Sequence, residues 1–348
     1  MIDVIKFSVG FQLYEPGEEP FSKIVETYKD SISEVFFGWQ DVQSGRSGIA
    51  TRHGVTDWTA QERLEKELKA IKDMGIKLDL LFNGNCYGAY SLSEKLSNTV
   101  CSIIDHLENI GCGVDIITTT SPAIAHTVKK YFPEIEVRAS VNMKIGSVKG
   151  MEYLADLFDS FHVQRDYNRD ISHLKILKEW ADLNGKKLVL LANSGCFINC
   201  SGQTFHDNNV AHEAEICEVQ NLKDFNPYLC WRCLKDEKNI VKLLQNTWIR
   251  PEDLHNYEGL FDTVKLATRI HQLPAMVIDA YAKGRYLGNT LDLFEPTFSS
   301  RVAPYVFDNT AFPEDWFDKT TSCDKLCYKC GYCESVLQKI LTYAGDEL

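Results

Sequence analysis

Short apolar runs alternate with longer amphipathic ones along most of this chain, and that alternation limits the folds open to it. IKFSVGF (5–11) reads as a strand and SKIVETYKDSI (22–32) as a helix. EVFFGW precedes WTAQERLEKELKAIKDMG, in which Leu64, Leu68 and Ile71 recur at helical spacing and Gly75 supplies the stop. KLDLLFNG and VDIITTT read as strands three and four, each followed by a helix pattern. EIEVRASVN with MEYLADLF, FHVQRD with ISHLKILKEWADLNG, the strand KKLVLLAN, and TVKLATR with QLPAMVIDAYAKG continue the series. Eight such units predict an α/β chain closed into a (β/α)8 barrel of the TIM type. An open dinucleotide-binding sheet loses its support, because no G-x-G-x-x-G turn follows the first strand.

A barrel brings its strand ends to one mouth, where loop residues do the chemistry. Asn83 and Asn85 follow strand three, and Thr118, Thr119 and Thr120 end strand four. Arg138, Ser140 and Asn142 are expected on one face of strand five, since alternate strand residues share a face. A guanidinium pointing inward needs an anionic partner, so Arg138 is a candidate for binding a carboxylate-bearing group. Gln164, Arg165, Asp166 and Asn168 follow strand six, Asn193 and Ser194 follow strand seven, and Lys265 and Arg269 are placed on strand eight.

Cysteine is concentrated in two places. Cys196, Cys200, Cys217, Cys230 and Cys233 fall within 38 residues, with C-x3-C and C-x2-C spacings. CDKLCYKCGYC then supplies Cys323, Cys327, Cys330 and Cys333 in a C-x3-C-x2-C-x2-C run. Thiolates at these spacings suit zinc or an iron–sulfur cluster, and both metals accept four of them. His206 and His212 flank the first group and could ligate metal or move protons. No H-E-x-x-H, no G-x-S-x-G and no assembled nucleophile–histidine arrangement is legible.

The apolar fraction of 44% is ample for a core, and no apolar run approaches the roughly 20 residues that cross a bilayer. A net charge of −12 argues against a broad basic surface for nucleic acid. MIDVIKFSVG lacks a basic segment before its apolar residues, so a cytoplasmic location is expected, where thiols serve metal or redox chemistry. A barrel domain over 1–290 and a small Cys-rich C-terminal domain over 291–348 are expected; a metal on the last four thiols would cross-link the latter.

LANSGCFINC, YLCWRC, WIRPEDLHNYEG and TVKLATRIHQLPAMVIDAYAKG resemble the collagenase-like peptidases, family 32 of the unclassified (U) peptidases. The family's K-I-E-G-R strand is KLATR here, keeping Lys265 and Arg269 but carrying Ala267 and Thr268. The resemblance spans roughly residues 5 to 290. It implies a barrel with a 4Fe-4S cluster near the mouth, held by Cys196, Cys200, Cys230 and Cys233, with Cys217 as a competing ligand. Members holding such a cluster take part in oxygen-independent hydroxylation of ubiquinone precursors or RNA pyrimidines, although an older name calls them peptidases.

The leading expectation is therefore an iron–sulfur enzyme that modifies a small molecule, nucleoside or peptide, served by an electron-transfer or other partner protein. Arg138, Arg165 and Arg269 would orient an acidic substrate, Asp166 or His206 would move a proton, and Asn193 and Ser194 would stand beside the cofactor. One cluster or two are expected, with zinc the alternative at the C-terminal thiols. A collagenase-like peptidase and a zinc-thiolate binding protein are the competing readings.

Overall fold

The structure, a computed structural model, describes residues 5–15, 17–45 and 56–345. Eight parallel strands close on themselves in sequence order: β1 (Lys6–Gly10), β2 (Ile32–Phe37), β3 (Lys77–Phe82), β4 (Ile116–Thr119), β5 (Glu136–Ala139), β6 (Ser160–His162), β7 (Lys187–Leu191) and β8 (Thr263–Leu266). β8 pairs with β1, Lys265 beside Ser8, so no sheet edge is left open.

Helices α1 (Phe21–Thr27), α2 (Trp58–Asp73), α3 (Glu94–Asn109), α4 (Pro122–Tyr131), α5 (Val148–Glu152) and α6 (Ile171–Leu183) fill the first six connections. Local chemistry sets their starts. Asp57, Ser93, Ser121 and Asp170 each accept a backbone N–H of the first turn, and Pro122 stands where a missing N–H costs nothing. Leu64, Leu68 and Ile71 of α2 are fully buried, as their spacing predicts. The first helix is shorter than expected: it stops at Thr27, and Ile32 opens β2 instead.

The long excursion from β7 to β8 carries α7 (Gln203–Ala211), α8 (Glu213–Cys217) and α9 (Leu229–Cys233), and α10 (Pro274–Lys283) follows β8. Beyond it lie α11 (Ser299–Val302), β9 (Tyr305–Phe307), α12 (Trp316–Thr321), α13 (Tyr332–Ile340) and β10 (Leu341–Tyr343), which pairs antiparallel with β9.

Two apolar cores result. Alternate strand residues such as Phe7, Val35, Leu80 and Val137 pack outward against the helices. A second core joins Leu243, Leu244 and Trp248 of the excursion to Phe294, Phe298, Trp316, Val336 and Ile340. The C-terminal segment thus shares its core with the excursion. Among the described residues no helix is long and apolar enough to cross a membrane.

Candidate functional site at the barrel mouth

Two cavities open at the C-terminal ends of the strands and meet at Ile270. One, of about 210 Å³, lies between the β6 and β8 loops and the cysteine-rich excursion, with Arg165, Phe197, His206, Tyr228 and Trp231 in its wall. The other, of about 340 Å³, is bordered by Gln12, Trp39, Ser44 and Arg269. A cavity of about 640 Å³ at the opposite end is lined by Lys77, Glu136 and Lys187 near strand starts, the face that in barrels serves stability.

The residues singled out in the sequence separate by their place in the barrel. Arg165, buried, and His206, whose ring meets Tyr228 edge-on at 4.9 Å, both line the smaller cavity. Asp166 holds the cysteine loop in place: one oxygen accepts the Asn199 N–H at 2.6 Å and the other accepts Gln164 Nε2 at 2.7 Å. Arg269 lies beyond the last residue of β8, not on the strand, and its Nη1 donates to Ser44 Oγ at 3.0 Å.

Asn193 ties the ends of two strands together. Its Nδ2 donates to the Ala267 and Leu293 carbonyls, each at 2.9 Å, and its Oδ1 accepts the Ala267 N–H at 2.6 Å. Ser194, buried, bridges to Glu295 through the backbone. Both hold the barrel rim to the C-terminal segment.

Arg138 points into the barrel, but not toward the mouth cavities. Its guanidinium is taken up by Glu34, with Glu136 at 2.8 Å and Ser160 at 3.1 Å. The expected alternation with Ser140 and Asn142 ends at Ala139, because Ser140 accepts the Asn142 N–H and starts a 3-10 turn over Val141–Met143.

Cys196, Cys200 and Cys230 face the smaller cavity together. Burial, reinforced by the neighbouring Cys196 and Cys200, pushes the Cys230 thiol up to about 11. Cys233, on the same short helix, is not in that wall; its sulfur accepts Lys242 Nζ at 3.3 Å. Cys217 is exposed on α8, near enough to Tyr228 that it and Cys230 act on the same phenol. In the C-terminal run, burial lifts Cys333 to about 12, and Cys327 and Cys323 add to the effect. Among the described residues, no three His, Cys, Asp or Glu side chains stand assembled as a metal site.

No protein-family profile matches the chain. A protein of Methanocaldococcus jannaschii named an uncharacterized protease is 27% identical over 325 residues, covering 92% of each chain. The structure of the U32 peptidase Mk0906 superposes with a TM-score of 0.53 at 16% identity, over 76% of this chain and 92% of that one. A family 5 mannosidase from Rhizomucor miehei matches at a TM-score of 0.41 and 9% identity. The resemblance to the U32 peptidases holds.

Within this U32-like barrel, two groupings join residues that the sequence had offered singly, Arg138, Lys265 and His212, to others that it had not. The first is the lumen, where layers of branched apolar side chains are usual. Here it holds Ser8, Glu34, Asp79, Arg138, Ser160, His162 and Lys265, all buried. Burial pushes Asp79 up to about 7 and Lys265 down to about 8, and keeps His162 well below its ordinary range. Lys265 Nζ sits 3.6 Å from the centre of the Phe36 ring. The second grouping is at the mouth, where the turn of Cys86 and Gly88 beyond β3 lies beside His212 at the junction of α7 and α8, and His212 is bound to Glu215. A single cysteine on a loop carries no spacing signal, and its partner arrives from the far side of the chain.

Proposed function

We propose that this chain hydrolyses peptides at the C-terminal mouth of its barrel. The observation that carries this reading is the smaller mouth cavity: Phe197, Val210, Trp231 and Ile270 give it an apolar wall, and Arg165, His206 and Glu213 add polar groups. An apolar recess with a few convergent polar groups suits one side chain of a peptide and the backbone beside it. The full-length likeness to a protein named a protease supports the same class. The test is cleavage of a peptide library by protein freed of contaminating proteases, compared with a variant in which Trp231→Ala opens the recess. Cleavage whose side-chain preference changes in the variant supports the reading; no cleavage by the parent protein refutes it.

A second reading is favoured by the three thiols in that cavity. Cys196, Cys200 and Cys230 share that wall and Cys233, whose sulfur is engaged by Lys242, does not, so Cys217, exposed on α8, would be the competing fourth ligand of a thiolate-held metal centre. An iron–sulfur cluster there would supply one-electron chemistry. Arg165 would then orient an acidic substrate and His206 would hold or move a proton, with electrons delivered by a partner protein. The C-terminal thiols would take zinc or a second cluster.

The two readings compete for one volume, because a cluster bound by Cys196, Cys200 and Cys230 would occupy the recess that a peptide side chain needs. Metal analysis of anaerobically purified protein separates them: about four irons per chain with broad visible absorption and no peptide cleavage support the cluster.

A further inference from the structure

The hydrolase reading calls for an attacking group, and the mouth offers one outside the cysteine-rich segment. Cys86 lies on the loop after β3, and its sulfur accepts the Gly88 N–H at 3.4 Å. Gly88 holds a left-handed backbone (φ 55°), and a Cβ built there would stand 4.0 Å from His212 Cε1, which places the imidazole beside this turn. His212 Nδ1 is bound to the Glu215 carboxylate one helical turn on. That fixes the ring and leaves Nε2 as the nitrogen available to a thiol. Glu215 holds the imidazole in the orientation and tautomer that a general base needs, the part a buried aspartate plays in other hydrolases.

We propose that Cys86 is the nucleophile of this enzyme, with His212 as its general base and acid and Glu215 as the positioning residue. The proposal rests on the peptide-hydrolase reading and deepens it. The Cys86 thiol is half-buried at the strand-end face, where barrel enzymes place their chemistry. Electrostatics agree with the geometry. The neighbouring His212 imidazole and the Gly88 N–H pull the Cys86 thiol below its ordinary range, and the nearby Cys86 thiol, with help from Glu215, raises His212 above its own. By contrast, burial pushes Cys101, Cys112, Cys230, Cys327 and Cys333 upward. A lowered, accessible thiol beside an imidazole is the usual setting of a reactive cysteine.

The chemistry balances without a metal or an oxidant. His212 takes the Cys86 proton, the thiolate adds to the scissile carbonyl carbon, and the C–N bond breaks as His212 gives that proton to the leaving amine. Water then adds to the thioester carbon, with His212 taking its proton. The S–C bond breaks, the peptide acid leaves, and the proton returns to Cys86. The net change is one peptide bond and one water converted to an acid and an amine.

The experiment is the pH dependence of Cys86 alkylation by iodoacetamide in the full chain, read by peptide mapping in the parent protein, His212→Gln and Glu215→Gln. At pH 6, Cys86 of the parent is expected to react at least about tenfold faster than the thiol of an unstructured cysteine peptide. The advantage should vanish in His212→Gln and weaken in Glu215→Gln. An ordinary alkylation rate in the parent, or a rate unchanged by His212→Gln, would overturn the assignment. Peptide cleavage by the same preparations separates the two layers. Cleavage that persists in Cys86→Ala leaves the hydrolase reading standing and removes Cys86 from it. An activated Cys86 in a parent protein that cleaves no peptide refutes the hydrolase reading and the covalent step together.

Discussion

Glu34 of β2 and Arg138 of β5 meet in the lumen, although their strands are not neighbours in the sheet. Both are 3% exposed or less, so this is a charge pair removed from water and held by its hydrogen bonds. Burial opposes the guanidinium, but Glu34, Asp79 and Glu136 outweigh it and hold Arg138 above its usual range.

Removing one side of that pair should be costly. Glu34→Gln leaves a buried guanidinium with less negative charge to offset it, a loss of roughly 3–5 kcal/mol. Urea unfolding followed by circular dichroism measures it, and a change under about 0.5 kcal/mol, the size of an ordinary surface substitution, would contradict the pairing.

Asp79 gives the lumen a pH signature. Its folded value of about 7 lies above the roughly 3.9 of an unfolded aspartate, so the folded chain keeps a proton that the unfolded chain releases. Its stabilising contribution is complete below about pH 4 and is lost as pH rises through about 7. Asp79→Asn, which has no proton to lose, should therefore gain on the parent protein between pH 4.5 and 7.5 in urea midpoint. A difference that stays constant with pH would count against a protonated Asp79.

Whatever metal the thiols of 196–233 acquire, its ligands should follow the cavity wall. Cys230→Ser is expected to lower metal content and Cys233→Ser to leave it unchanged, because Cys230 shares the cavity wall with Cys196 and Cys200 whereas the Cys233 sulfur is engaged by Lys242. Elemental analysis of anaerobically purified variants reads this directly; the reverse pattern would restore Cys233 to the site.

Arg169 fastens the excursion to the barrel and the C-terminal segment. It donates to the Leu244 carbonyl at 3.0 Å and twice to that of Trp248, while its guanidinium carbon lies 4.4 Å from the centre of the Trp248 ring and 5.0 Å from that of Trp316. Arg169→Met strands those carbonyls at a cost of about 2–4 kcal/mol. Limited proteolysis should then cut first within 234–345, and an unaltered digestion pattern would argue that the residue is dispensable.

Much of the barrel was legible because strand and helix periods differ, and Leu64, Leu68 and Ile71 announce α2 without help from tertiary context. The outward face of each strand was equally plain. Of the lumen only the inward Arg138 was legible, since a lysine or aspartate in a short strand carries no sign of whether it looks inward or to solvent. Strand five was read too far because Ser140 bonds its own downstream backbone and bends the chain away. At the mouth, paired spacings exposed Cys196, Cys200 and Cys230, whereas Cys86 had none to offer. Its meeting with His212 depends on how the excursion between β7 and β8 folds back over the β3 loop, a long-range fact that local pattern does not encode.

The most direct measurement is cleavage of a mixed-sequence peptide library, followed by mass spectrometry, with the parent protein and Cys86→Ala purified side by side from a protease-deficient host. The expected result is a defined set of products from the parent and at least about 10³-fold less from Cys86→Ala, which removes the nucleophile but keeps the recess. Equal cleavage by both, or none from a folded parent, would contradict thiol hydrolysis at the mouth of this barrel.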